Sequence, residues 1–517
     1  MSNATRLARA AAIVAAFTIL SRLLGFAREI VLAGAYGTSA VTDAFVNGLM
    51  IVNAVAAILL YTLVTLIIPV FQEERARHGE HSAWRLVVAI GGWTGLALMG
   101  IAAFVAIWPE LPAALFNLDP DRERQTAELI RIMAPALAFQ GFSGIFTAML
   151  QIHGRFAGPA AVGVAFNLGI IVAVLVGQPF IGIEAAAWGV TIGAAAQVVL
   201  QLPQFWRLLR RAGVRWALAH TRLGRVGWLA LPVLTTSLLQ QINSFTDKFF
   251  AATQAHGEVA ALNFANALGQ APRAGLLLPL MTPLFPLIAK LMMEGRREDA
   301  LAAFRRVAGL LAVVAIPMTI VLAVNAPDVA QLAFKRGACG DQCVDRIWPP
   351  LVFVSLALWP SFLNLLLNRT LAAGNHQRNI LWTTAVMVAM TIGLDVVLIG
   401  PMGISGLALA TGLAVLVNTL MLLVLARYHY PTIGLVSFAR RQGRVALAGA
   451  ATAAVAVGVQ FALPVAERSS WQIAPLLVAK ALVTTVVFLA LARLVARPEL
   501  GEGTRALRAL VGRRARG

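Results

Sequence analysis

Fourteen apolar runs, each near the ~20 residues that a bilayer crossing takes, dominate this 517-residue chain. They fall at roughly 9–35, 42–71, 85–108, 126–152, 158–178, 184–206, 227–253, 258–289, 302–325, 347–370, 379–400, 403–426, 444–464 and 472–496. Composition agrees: 59% of residues are hydrophobic, 13% are charged and the mean hydropathy is +0.79. A soluble domain would carry about 25% charged residues. The fold class expected is an all-α polytopic membrane protein. The runs 42–71 and 258–289 are long and are expected to tilt or bend, with Pro69, Pro272, Pro283 and Pro286 as the causes.

The net charge of +19 does not read as a nucleic-acid footprint, because no basic stripe interleaved with aromatics is present. The arginines cluster between apolar runs. Arg75, Arg77 and Arg85 lie between runs 2 and 3, Arg207, Arg210, Arg211, Arg215, Arg222 and Arg225 between 6 and 7, and Arg440, Arg441 and Arg444 between 12 and 13. These connections and the arginine-rich tail fall on one side of an even-span arrangement. The positive-inside rule then places both termini in the cytoplasm. No cleavable signal peptide is evident. Cys339 and Cys343 lie in the outer 9–10 connection. A disulfide there needs a turn rather than a helix, and two free thiols are the alternative.

The chain repeats. Leu66-Ile67-Ile68-Pro69 is echoed by Pro283-Leu284-Phe285-Pro286, with 217 residues between Pro69 and Pro286. Gly182-Ile183 is echoed by Gly403-Ile404, 221 residues on. Runs 1–6 thus match runs 7–12 in the same orientation, a transporter plan with parallel halves. The expected division is an N-terminal lobe at 1–212, a C-terminal lobe at 213–430, and an extra helix pair with a basic tail at 431–517.

Within the first run stands Ser21-Arg22-Leu23-Leu24-Gly25-Phe26-Ala27-Arg28-Glu29. A charge at mid-membrane costs roughly 2.5–3.5 kcal/mol on insertion scales, so it faces a partner or a water-filled cavity. Arg22 and Arg28 are the expected binding residues for an anionic cargo, with Glu29 tempering Arg28. The planar guanidinium fork suits a diphosphate, while snorkelling or a structural ion pair is the plainer reading. Asp43 opens the second run and either pairs with Arg28 or caps a helix beside Thr42. From Ala44 to Gln72 there is no charge. Arg273, after Pro272, is a further candidate for the cationic site. Asp247, Asp395, Thr391 and Thr411 supply hard oxygen ligands for a coupling Na⁺ or H⁺, although Asp247 beside Lys248 also reads as a simple ion pair. Lys480 in the last run either lines a groove or snorkels. No Walker loop and no G-x-S-x-G element is present, so the chain reads as a transporter without cofactors and not an enzyme.

The arginine run, followed by Thr42-Asp43-Ala44-Phe45 and by Gln241-Ile242-Asn243 with Asp247, resembles the lipid II flippase family MurJ (MviN) of the multidrug/oligosaccharidyl-lipid/polysaccharide (MOP) exporter superfamily. The resemblance implies two six-helix lobes around a V-shaped cavity, and a groove on helices 13 and 14 for a polyprenyl tail. It implies movement of lipid II between leaflets by alternating access, for peptidoglycan synthesis and cell shape, and a protein working as a monomer among membrane lipids. It carries Arg22, Arg28 and Asp43 onto family positions. Two further basic positions are not matched. Asn53 is followed by Ala54-Val55-Ala56-Ala57, and Ala267 stands five residues before Pro272. The rivals are a flippase for O-antigen or exopolysaccharide units, and a drug/cation antiporter on the same fold.

Overall fold

The computed structural model describes residues 3–214, 218–273, 284–374, 376–430, 435–463 and 470–495. Pro283 and the basic tail at 496–517 lie outside the described residues. Among those described, helices account for nearly all of the chain, and the extended pairing is one isolated bridge between Arg336 and Cys339. Contacts group Met1–Ala260 and Ala261–Gly517 into two compact units.

The first unit opens with α1, Asn3–Tyr36. Gly37, at φ 62°, ends it. Helix α2, Ala40–Ile107, covers two of the expected crossings in one 68-residue element. It is broken at Gly79 (φ 84°), beside the charged stretch that separates the two crossings. A short helix α3, Glu110–Ala113, leads to α4, Pro120–Met133, and α5, Pro135–Ile152. Asp119 caps α4 by accepting from Arg122 N–H at 3.2 Å. Pro135 lacks an amide hydrogen to continue the ladder, and the chain bends by 41° between α4 and α5. Helices α6, Ala157–Ile181, α7, Glu184–Ala212, and α8, Leu223–Ala252, complete the unit. Helix α9, Glu258–Pro272, begins at its end.

The second unit holds α10 (Leu284–Met293), α11 (Arg297–Val324), α12 (Ala326–Phe334), α13 (Asp341–Leu356) and α14 (Leu358–Ala373). It continues with α15 (Gln377–Met402), α16 (Ile404–His429), α17 (Leu435–Ala462) and α18 (Ser470–Val495). Among the described residues eight helices are long and apolar enough to cross a membrane, or ten with the bent pairs α4–α5 and α13–α14. That is fewer than the expected fourteen; the 68-residue α2 takes in two of the expected crossings, and α1 and α8 occupy the first and seventh.

The repeat is visible in the backbone. Gly182 joins α6 to α7 at φ 58°, ψ −134°, and Gly403 joins α15 to α16 at φ 55°, ψ −139°. A side chain is strained at both, which is why glycine recurs there. Below the first of these turns α6 and α7 approach closely. A Cβ on Gly193 would lie 2.6 Å from the Phe166 carbonyl oxygen.

Each half of the repeat pairs its fourth and sixth crossings with buried amides. Gln201 on α7 donates to Ser143 Oγ on α5 at 2.8 Å and accepts from Thr147 at 3.0 Å. In the second unit Asn364 on α14 donates to Asn418 Oδ1 on α16 at 2.7 Å, and Asn418 donates to the Thr383 carbonyl on α15 at 2.7 Å. In a medium without water such pairs satisfy groups that would otherwise be costly. Around them lie apolar clusters, with Phe71, Trp84, Phe146 and Phe205 in the first unit and Phe304, Phe362, Leu366 and Leu422 in the second.

Candidate functional site

The arginine run of α1 folds against α6 through small residues. Gly25 leaves room for Asn167, whose side chain lies 3.7 Å from where a glycine Cβ would be. Asn167 donates to the carbonyls of Ser21 at 3.2 Å and Gly163 at 2.9 Å. Its own carbonyl oxygen then accepts from Arg28 Nη1 at 3.2 Å. The Arg28 Nη2 pairs with Glu29, which is 5% exposed. Arg28 is thus held from two sides within the first unit, one side neutral and one anionic. Arg22, six residues earlier, is exposed. The six-residue spacing turns it about 240° around the helix from Arg28, so the two arginines do not share a face. Asn167 is absent from the sequence-level candidates. The signal for it is an amide in the middle of the apolar α6.

Asp43 points elsewhere. Its Oδ2 accepts from Gly257 N–H at 2.6 Å and its Oδ1 from Ala260 N–H at 2.8 Å. Asp43 therefore caps the first turn of α9, a helix over two hundred residues further along the chain. The other end of the same hairpin is also held. Arg122 Nη1 donates to the carbonyls of Ala252 at 3.4 Å and Gln254 at 3.2 Å, at the close of α8. A cation at a helix C-terminus and an anion at a helix N-terminus both complement the peptide dipoles.

In the second unit Arg273 lies over the Phe362 ring at 5.6 Å, a cation–π contact. Thr391 and Asp395 are spaced i, i+4 on α15 and are both buried, and Thr411 on α16 is half-buried. Asp247 is half-buried on α8, in the first unit. Hydroxyl and carboxylate oxygens of this kind suit a small hard cation. Among the described residues no group of three or more His, Cys, Asp or Glu is arranged to hold a metal.

Lys480 neither snorkels nor lines a groove. It is buried on α18, where Nζ donates to Asp328 Oδ2 and to Gln460 Oε1, each at 2.7 Å. Gln460 Nε2 closes the ring by donating to Asp328 Oδ1 at 3.2 Å. The ring ties α17 and α18 to α12. Cys339 and Cys343 form a disulfide across a Cα separation of 5.2 Å. The Arg336–Cys339 bridge supplies the turn that this pairing needs, immediately before α13.

The family model of the lipid II flippase MurJ matches residues 32–471. A probable lipid II flippase MurJ of Rhizobium meliloti (strain 1021) is 29% identical over 428 residues, covering 80% of this chain and 79% of its own length. The lipid II flippase MurJ of Burkholderia cenocepacia is 25% identical over 432 residues, covering 80% and 82%. A solved lipid II flippase MurJ in an inward closed conformation superposes with a TM-score of 0.77 at 17% identity, over 94% of this chain and 99% of that one. An inward-facing multidrug resistance MATE family transporter of the MOP superfamily superposes with a TM-score of 0.67 at 14% identity, over 80% and 95%. At these identities the two structures speak for the fold alone.

Proposed function

The chain belongs to the lipid II flippase MurJ family, and from that membership we propose that it carries lipid II from the inner to the outer leaflet of the cytoplasmic membrane for peptidoglycan synthesis. It is a transporter, and nothing in its chemistry asks for a catalytic residue. The observation that carries the reading is the anchored guanidinium of Arg28. A charge placed inside an apolar helix and held by Asn167 and Glu29 is preorganised for an anion, and a diphosphate matches its fork.

Finer points belong to the same proposal. Arg22, Arg28 and Glu29 make the headgroup site, and Arg273 of the second unit is a separate candidate cation for the cargo. Asp43, through its hold on α9, sets the state of the outer hairpin. Asp247 in the first unit, and Thr391, Asp395 and Thr411 in the second, are each candidates to take a coupling Na⁺ or H⁺, unless the membrane potential alone resets the carrier. Helices α17 and α18 guide the polyprenyl tail, both termini are cytoplasmic, and the protein works as a monomer.

The test is complementation in a bacterium whose only lipid II flippase can be depleted. Wild type should restore growth. Arg22→Ala and Arg28→Ala should fail at normal membrane levels. Rescue by all three would discard the arginine site. Failure of well-expressed wild type would favour a flippase for another polyprenyl-linked glycan. Ala267 is the observation behind that second reading, because the family resemblance implies an arginine there.

A further inference from the structure

Asn167 bonds α1 at two levels. Ser21 and Arg28 are two turns of helix apart, so both face α6 within about 20° of each other. The Ser21 carbonyl points toward the C-terminal end of α1, and the Arg28 side chain leans toward its N-terminal end. They converge beside Gly25, where a Cβ would lie 3.7 Å from Asn167 Nδ2 and 3.8 Å from its Oδ1. Asn167 donates to the carbonyl at 3.2 Å and accepts from the guanidinium at 3.2 Å. Its other amide hydrogen goes to the Gly163 carbonyl, four residues back on α6, at 2.9 Å. The helices meet closely here, since a Cβ on Gly163 would clash with Ser21 Oγ. With both hydrogens given to carbonyls, the side chain is oriented and its oxygen is left for Arg28.

That oxygen carries no charge. Arg28 already has one counter-ion, the Glu29 bonded to its Nη2. Helix α6 adds none, because Ala157–Ile181 contains no Asp, Glu, Lys or Arg. A carboxylate in place of the amide would be a second anion on one guanidinium, and an incoming anion would be repelled. The amide aims the fork as a carboxylate would and leaves Arg28 and Glu29 balanced one to one. Arg28 Nε is also buried without a hydrogen-bond partner, so the guanidinium, with five N–H donors in all, keeps capacity for a ligand.

We propose that Asn167 is a positioning residue of the headgroup site and decides the sign of the charge that the site takes: it aims the Arg28 guanidinium from α6 and, being neutral, leaves that guanidinium open to the diphosphate of the lipid-linked cargo. This rests on the lipid-linked diphosphate reading above. It assigns the choice between an anionic and a cationic cargo to one side chain of α6, which the arginine run alone does not settle.

The experiment uses the full-length chain in nanodiscs of zwitterionic lipid, with undecaprenyl diphosphate and the uncharged undecaprenol as probes and a thermal midpoint for each variant. Asn167→Ala should weaken the diphosphate lipid about tenfold, the loss of one hydrogen bond to a charged group. Asn167→Ala combined with Arg28→Ala should bind no more weakly than Arg28→Ala alone, because a positioning residue acts through the group it aims. Asn167→Asp should weaken the diphosphate lipid more than Asn167→Ala does and leave undecaprenol unchanged. If Asn167→Ala does not fold, Asn167→Ser takes its place in the cycle, its hydroxyl bonding the Gly163 carbonyl. A neutral Asn167→Ala, additive losses in the double variant, or wild-type diphosphate binding by Asn167→Asp overturns the proposal. Any of these with Arg28→Ala impaired defeats this inference alone. Wild type that does not bind the diphosphate lipid, or Arg28→Ala that binds it as wild type does, defeats the functional reading of the arginine site with it.

Discussion

Asp43 and Gly257 are 214 residues apart in sequence and 2.6 Å apart from carboxylate to amide. With Ala260 as the second donor, one side chain satisfies two of the amides that open α9. Removing a helix cap costs roughly 0.5–2 kcal/mol. Asp43→Ala is expected to lower the thermal midpoint and to speed hydrogen exchange at 257–260, leaving the Gly182 turn unchanged. Asp43→Asn should retain part of the protection through its carbonyl oxygen. Unchanged exchange at 257–260 in the alanine variant would remove the cap from the account.

The Asp328–Lys480 pair gives an asymmetric expectation. Breaking a buried pair on one side leaves an uncompensated charge and costs about 3–5 kcal/mol, whereas replacing both partners with apolar groups is often close to neutral. Asp328→Leu and Lys480→Met should each reduce the folded yield in membranes. The triple variant, with Gln460 also replaced by Leu so that its amide is not left unsatisfied, should recover most of it. Thermal unfolding in detergent measures both.

Cys339 and Cys343 close a short loop, and by the chain-entropy estimate a loop this small contributes about 2 kcal/mol. Serine at both positions should lower stability by no more than that and leave transport intact. Both cysteines are buried. A membrane-impermeant maleimide applied to whole cells should therefore label them only after reduction and partial loosening of the loop. Labelling that appears only in inverted vesicles would reverse the proposed orientation.

Acidification should loosen the connections between the second and third and between the sixth and seventh crossings. Glu74 accepts from Ser82 Oγ at 2.6 Å and meets His78 Nδ1 at 3.1 Å and Arg222 Nε at 3.2 Å. Burial pushes its carboxyl up, but the Ser82 hydroxyl and the neighbouring cations outweigh it and hold the group below its usual range. Burial also lowers the His220 imidazole from 6.5, against the pull of Glu74. Both folded values lie below the unfolded ones, so the unfolded chain binds more protons and stability falls as pH falls. The His220 part begins to be lost below about pH 6.5, and the Glu74 part below about pH 4.5. The thermal midpoint should drop between about pH 7.5 and 5.5, and His220→Gln should flatten that slope. An equal slope in the variant would place the titration elsewhere.

Local patterns carried the architecture. The apolar runs marked the helices, the Gly182 and Gly403 echo marked two turns of the same conformation, and the charges of the first helix marked Arg28 and Glu29. Partners distant in sequence were not legible. Asp43 offered two local readings, but its acceptors' donors sit past Ala252, and nothing near Asp43 names them. Lys480 read as a snorkelling side chain because Asp328 and Gln460, which bury it, come from two other helices. Nothing near Asn167 in sequence names Ser21 and Arg28, the α1 residues it joins. In each case the chemistry of the residue was evident and its direction was not, because direction is set by how helices pack.

The ring of Asp328, Gln460 and Lys480 also bears on how the protein is made. A lysine inside a membrane helix is unfavourable in lipid by up to roughly 2.5–3.5 kcal/mol, a cost set against the otherwise strongly apolar sequence of α18. Asp328 is synthesised 152 residues earlier, which at roughly 5–20 residues per second is of the order of 10–30 s. The carboxylate has thus left the ribosome well before the last helix does. The final crossing is recruited by a waiting partner, and loss of Asp328 should first appear as faulty insertion of the C-terminus.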